Sequence, residues 1–124
     1  MPRILVVDDE PLVSMLVEDW LVELGCEVVG PARSVKEGLD MASSADLDGA
    51  ILDINLGGNN SYAVAETLER RGVPFAFATG DSAVDAESGF ADPILLSKPF
   101  DFEGLKAVLG KLLGAPIIVA GKSP

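Results

Sequence analysis

ILVVDDEP, residues Ile4 to Pro11, is a run of four apolar residues that meets two aspartates, a glutamate and a proline. A continuous, partly β-branched apolar run marks a strand covered on both faces, as in parallel sheets. Pro11 suits the first turn of a helix, where a missing N–H removes no hydrogen bond. Beyond it Leu12, Val13, Leu16, Val17, Trp20, Leu21 and Leu24 recur at helical spacing until Gly25 offers a stop. Strand, acidic turn and helix make one βα unit.

The same pattern repeats along the chain. Glu27-Val28-Val29-Gly30 reads as a second strand, and Ser34 with Glu37 forms a capping box that opens a helix carrying Val35, Leu39 and Ala42. Ala50-Ile51-Leu52 runs into Asp53, NLGGNNS (55–61) reads as a loop, and Tyr62 to Arg71 as a helix closed by Gly72. Phe75 to Ala78 is a fourth strand, Ser82 to Phe90 the weakest helix, and Ile94-Leu95-Leu96 a fifth strand ending at Ser97-Lys98-Pro99. Asp101 can cap a last helix whose Leu105, Val108, Leu109, Leu112 and Leu113 fall on one stripe before Gly114 and Pro116. Five βα units predict an α/β fold: a five-stranded parallel sheet with helices on both faces and right-handed crossovers. Residues 1–114 make one domain, and the tail 115–124 is too short for a second.

Composition narrows the function. Twenty acidic against nine basic side chains give a net charge of -11, a poor match for a phosphate backbone, so nucleic acid is not expected as a partner. Cys26 is the only cysteine, in an apolar context, which fits a reducing compartment and a small core residue. Ile4 to Val7 is too short for a signal-peptide core, and no run approaches the roughly 20 apolar residues of a membrane helix. A cytoplasmic protein with no membrane contact is expected. With no histidine in the chain, Ser-His and Cys-His pairs and histidine metal ligands are excluded. Chemistry here must use carboxylates, hydroxyls and lysine.

In open parallel sheets ligands bind beyond the carboxyl ends of the strands. Those ends carry Asp8 and Asp9, then Asp53, Thr79 and Lys98. Two carboxylates about 4 Å apart repel by roughly 4 kcal/mol at an effective dielectric near 20, so three clustered acids call for positive charge. Lys98 supplies one charge and a cation the rest. An all-oxygen site with few protein ligands suits Mg²⁺, which prefers carboxylates together with waters and phosphate oxygens. The loop after Asp53 could add a backbone carbonyl, that of Asn55 being the nearest candidate. Phosphoryl transfer asks mainly for positioning and electrostatic stabilisation, with Asp53 as nucleophile and Lys98 and Thr79 each bonding a phosphoryl oxygen.

The acidic pair in LVVDDEP, the aspartate in ILDINL, the hydroxyl in FATG and the lysine-proline pair in LSKPF stand in order, each at a strand end. Over residues 3 to about 114 this resembles the receiver domains of two-component response regulators, which have a flavodoxin-like (βα)5 fold. The resemblance implies Asp53 as phosphoacceptor, Asp9 as a direct Mg²⁺ ligand, Asp8 as a second acid acting largely through water, Asn55 as a carbonyl ligand, and Thr79 and Lys98 as phosphate contacts. It implies a sensor histidine kinase or phosphotransfer protein as donor, a downstream protein as reader, and a monomer or weak homodimer. PFAFATGD, Pro74 to Asp81, is similar to the Pro-Phe-x-Phe-Ala-Thr-Gly signature of a largely alphaproteobacterial subgroup, commonly stand-alone and tied to general stress signalling. This chain carries Leu95 where many receivers have an aromatic switch residue, which removes the usual threonine-to-aromatic coupling. It carries Asp81 where the subgroup has tyrosine or glycine.

Taken singly, these residues have plainer roles: helix capping for Asp8 and Asp9, a turn for Asp53, a solvated amine for Lys98, a strand-end hydroxyl for Thr79. Trp20 and Tyr62 read as packing residues. Gly57 and Gly58 suggest a mobile loop beside Asp53. Two other functions compete. An aspartate-nucleophile phosphohydrolase of the haloacid dehalogenase type would need its nucleophile on strand one and a general acid two residues on, whereas Asp8 is followed by Asp9-Glu10-Pro11. A docking module independent of phosphorylation would not need the intact acidic set. With no output domain after residue 114, a phosphorylated state would be read by another protein, on the side formed by Asp81 to Phe102.

Overall fold

The computed structural model describes residues 1–56, 58–79 and 94–114. β1 (Arg3–Val7), α1 (Pro11–Glu23), β2 (Glu27–Ala32), α2 (Val35–Ser44) and β3 (Gly49–Asp53) come first in the chain. A two-residue pair, β4 (Asn55–Leu56) and β5 (Asn59–Asn60), leads into α3 (Tyr62–Arg70), then β6 (Phe75–Thr79), β7 (Ile94–Ser97) and α4 (Phe102–Leu113). The main sheet has five strands in the order β2-β1-β3-β6-β7, all neighbouring pairs parallel. The expected helix over Ser82 to Phe90, Asp81 and the tail 115–124 lie outside the described residues.

Successive strand residues point to opposite faces, and both faces are covered. Ile4 and Val6 join Val17, Leu21, Ile51, Leu105 and Leu109 in a core under α1 and α4, while Leu5 and Val7 join Leu52, Val64, Leu68 and Phe77 under α2 and α3. That is why β1 reads as an unbroken apolar run. Cys26 is buried in the first of these cores. Trp20 packs edge-on against Phe100 and Phe102, and Tyr62 against Phe77, as packing residues should.

Several boundaries differ from expectation for identifiable reasons. β2 continues through Pro31 to Ala32, which an edge strand permits because the lost N–H need not bond a neighbour. The turn into Pro31 requires Gly30, whose φ is +97°, and a Cβ there would lie 2.8 Å from Ala32 N. Ser34 Oγ accepts from Glu37 N–H at 3.1 Å, but Glu37 reaches back to Arg33 N–H at 3.0 Å, one residue earlier than a capping box requires. Asp101 caps α4 through Gly104 N–H at 2.8 Å. NLGGNNS is not a plain loop: Asn55 pairs with Asn60 and Leu56 with Asn59, antiparallel. Leu12 and Leu16 leave the expected core stripe of α1 and are 81% and 46% exposed, because the helix settles on the sheet through Val13, Val17, Leu21 and Leu24.

Candidate functional site

The strand order reverses between β1 and β3: from β1 the chain passes to β2 on one side and returns to β3 on the other. Such a switch point opens a crevice at the carboxyl ends. On its β1 side, Asp8 N–H donates to Ala32 O at 3.0 Å, and the Asp8 carboxylate accepts from Glu10 N–H at 2.8 Å. The chain is thereby held in a tight acidic turn before α1. On the β3 side, Asp53 is the last strand residue, paired with Ala78 of β6. Its Oδ1 accepts from Asn55 N–H at 3.3 Å, and its Oδ2 lies 3.2 Å from Lys98 Nζ. Lys98 follows β7 directly and donates its backbone N–H to Thr79 O at 2.8 Å, so the residue carrying the hydroxyl and the residue carrying the ammonium are bonded through the main chain.

Charge is concentrated here. One carboxylate oxygen each from Asp8, Asp9, Glu10 and Asp53 lies within 4.8 Å of the others. Burial pushes the Asp8 carboxyl from 3.8 up to about 6; the Glu10 N–H bond opposes that rise and the nearby Asp53 adds to it. Burial also raises Asp53, against the Lys98 ammonium and the Asn55 N–H. Lys98 is disfavoured by its own burial, yet Asp53, Asp8 and Glu10 outweigh this and hold its proton more tightly than usual. Asp8 thus resists ionisation chiefly because it is buried, and the neighbouring Asp53 and Glu10 charges add to that resistance. An oxygen-only donor set with excess negative charge fits a hard divalent cation, and no thiol or imidazole among these residues favours zinc.

The crevice brings together Asp8, Asp9, Asp53 and Lys98, with Thr79 buried at the end of β6 and Asn55 bound to Asp53 by its backbone. Glu10 was not anticipated as part of this set. It stands 3.6 Å from Lys98 Nζ. The signal was its place directly after the acidic pair and before Pro11, a position that can equally serve helix entry. Beside this mouth, Val13, Leu16, Lys98, Pro99 and Phe100 line a groove, and Leu12 and Met15 of α1 are exposed nearby in sequence.

Comparison with known proteins agrees with the geometry. The family described as the response regulator receiver domain matches residues 4–110. The phyllosphere-induced regulator PhyR of Methylorubrum extorquens is 34% identical over 115 residues, 90% of this chain and 43% of that protein. The chain spans about half the length or less of this and the next curated relative it matches. The solution structure of SdrG from Sphingomonas melonis is 43% identical with a TM-score of 0.79, covering 91% of this chain and 97% of that one. The BeF3-activated conformation of SdrG is 41% identical with a TM-score of 0.75, covering 90% and 95%. An acidic crevice at the switch point of a flavodoxin-like sheet and a family match over nearly all of the sheet and helices lead to one conclusion: this chain belongs to the response regulator receiver domains of two-component signalling.

Proposed function

We propose that the chain acts as a response regulator receiver in which Asp53 accepts a phosphoryl group from a phosphohistidine of a sensor kinase or phosphotransfer protein. The observation that carries this is the placement of the Asp53 carboxylate: Oδ2 faces Lys98 Nζ at 3.2 Å, Oδ1 accepts from Asn55 N–H, and one of the two oxygens lies within 4.8 Å of carboxylate oxygens of Asp8, Asp9 and Glu10. An Asp53 oxygen attacks phosphorus, the P–N bond breaks, and the imidazole nitrogen keeps the electron pair. Lys98 passes from Asp53 Oδ2 to a phosphoryl oxygen, and the Thr79 hydroxyl donates to another. Asp8, Asp9, Asp53 and the Asn55 carbonyl are the groups that would hold Mg²⁺, which when bound neutralises phosphoryl charge. Water attack on phosphorus later returns inorganic phosphate and resets Asp53.

The donor must cover the mouth of the crevice to reach Asp53. We assign its docking surface to α1 and the segment after β7, where Leu12, Met15 and Leu16 are exposed and Leu16 shares a groove with Pro99 and Phe100. The phosphorylated state is read by a further protein, in the cytoplasm and, by the likeness of PFAFATGD to the stress-associated subgroup signature, within general stress signalling. No helix among the described residues is long and apolar enough to cross a membrane. Intact mass after incubation with Mg²⁺ and acetyl phosphate tests the chemistry. One hydroxylamine-sensitive phosphoryl adduct is expected, absent from Asp53→Ala and from a chelated control. No adduct with this donor or with a competent histidine kinase would leave a docking module as the better reading.

A further inference from the structure

We infer that Glu10 is a positioning residue that competes with the phosphoryl group for Lys98. This rests on the phosphoacceptor reading of Asp53. Lys98 Nζ stands between two carboxylates, 3.2 Å from Asp53 Oδ2 and 3.6 Å from Glu10 Oε1. The partners differ in burial: the Asp53 side chain is 9% exposed and that of Glu10 59%. Lys98 is therefore held from inside by the acceptor and from the mouth by Glu10.

Glu10 is not free to swing away with its backbone. Its N–H is bonded to the Asp8 carboxylate, and its carbonyl accepts from Ser14 N–H at 3.0 Å as α1 begins. Only side-chain rotation can release Lys98. Two consequences follow for an incoming anion. Lys98 must give up part of its attraction to Glu10 before it can pair fully with a phosphoryl oxygen, and the Glu10 carboxylate repels that oxygen at the entrance. Both act on docking of the anion more than on the transfer step, and both weaken with salt because Glu10 is exposed.

The test compares wild type, Glu10→Gln and Glu10→Lys at saturating Mg²⁺, so that any change in cation affinity is removed. Phosphorylation is followed by intact mass with doubly charged acetyl phosphate and with singly charged phosphoramidate, and beryllofluoride binding by fluorine NMR reports anion affinity without turnover. For Glu10→Gln at low salt the KM for acetyl phosphate should fall about threefold, the scale of an exposed ion pair, with little change in maximal rate. Glu10→Lys should go further in the same direction, phosphoramidate should respond less, and all differences should flatten at high salt. Beryllofluoride should bind more tightly in the same order. A KM and beryllofluoride affinity unchanged in both variants, or losses independent of donor charge, would overturn the assignment. Wild type that takes up neither phosphoryl nor beryllofluoride would overturn the phosphoacceptor reading itself, which is a different result.

Discussion

Replacing Asp8 by Asn should make the metal-free protein more stable at neutral pH. Asp8 is 5% exposed, and burial moves its carboxyl from 3.8 to about 6. The folded protein therefore holds this proton more tightly than the unfolded chain. Between about pH 4 and pH 6 the native state binds more protons than the unfolded state, so stability falls as pH rises through that window, and the whole penalty is present above it. At about 1.4 kcal/mol for each tenfold in the proton equilibrium, the displacement corresponds to about 3 kcal/mol. Water and Lys98 at the mouth reduce that figure, and a gain of about 1–3 kcal/mol is expected. Asn has nearly the same volume, and its carbonyl oxygen can still accept the Glu10 N–H now bonded at 2.8 Å. Urea unfolding of both proteins with chelator, at pH 7.5 and pH 4, measures the difference, because acids remote from Asp8 titrate alike in both and cancel. The variant should gain at pH 7.5 and gain far less, under about 1 kcal/mol, at pH 4. Millimolar Mg²⁺ should narrow the gap by binding the native wild type. Equal stability at pH 7.5, or a gain of the same size at both pH values, would refute the reasoning.

Two further substitutions probe the frame around the site. Gly30→Ala places a Cβ 2.8 Å from Ala32 N and 3.0 Å from Val6 O at a φ of +97°, and should destabilise by about 2–4 kcal/mol in urea unfolding; a loss below about 1 kcal/mol would mean the turn relaxes. Leu16→Glu, at a position 46% exposed, should leave stability within about 0.5 kcal/mol and labelling by acetyl phosphate unchanged, while slowing transfer from a cognate phosphohistidine protein about tenfold; undiminished transfer would remove α1 from the donor surface.

The strands and their ends were legible because burial on both faces leaves no polar residue until the sheet stops. Ile4 to Val7 and Ala50 to Leu52 are buried throughout, and the first polar residue after each is a site residue, Asp8 or Asp53. Topology then gathers those ends with no further information from the sequence. What was not legible depends on contacts between distant residues. Pro31 argues against a strand unless β2 is known to be an edge. Leu12 and Leu16 fit the helical period as well as Val13 and Val17 do, and only the direction in which α1 meets the sheet separates them. The Glu10–Lys98 pair joins residues far apart in the chain, and a glutamate before a proline announces nothing of the kind.

Leu95 bears on how a phosphoryl group at Asp53, as proposed, would be sensed elsewhere. It pairs in register with Phe77 and packs partly buried against the α2–α3 side of the core, so no ring stands at that point of β7 to follow Thr79. The described contacts provide a different connection. Lys98 is tied to Asp53 by its side chain and to Thr79 by its backbone, and two residues later the Phe100 ring lies 6.2 Å from Trp20. Trp20 belongs to α1, and α1 starts immediately after Glu10, which returns to Lys98. The contacts close a ring through the acidic turn, α1, Phe100 and Lys98. In a close-packed interior, displacement of one member is transmitted to its neighbours rather than absorbed. On the proposed function, a Lys98 drawn onto a new phosphoryl oxygen would release Glu10 at one end and pull on the peptide carrying Phe100 at the other. The surface that changes is then the one beside α1, the same surface proposed for the donor, so acceptance of the phosphoryl group and release of its donor would act on the same residues.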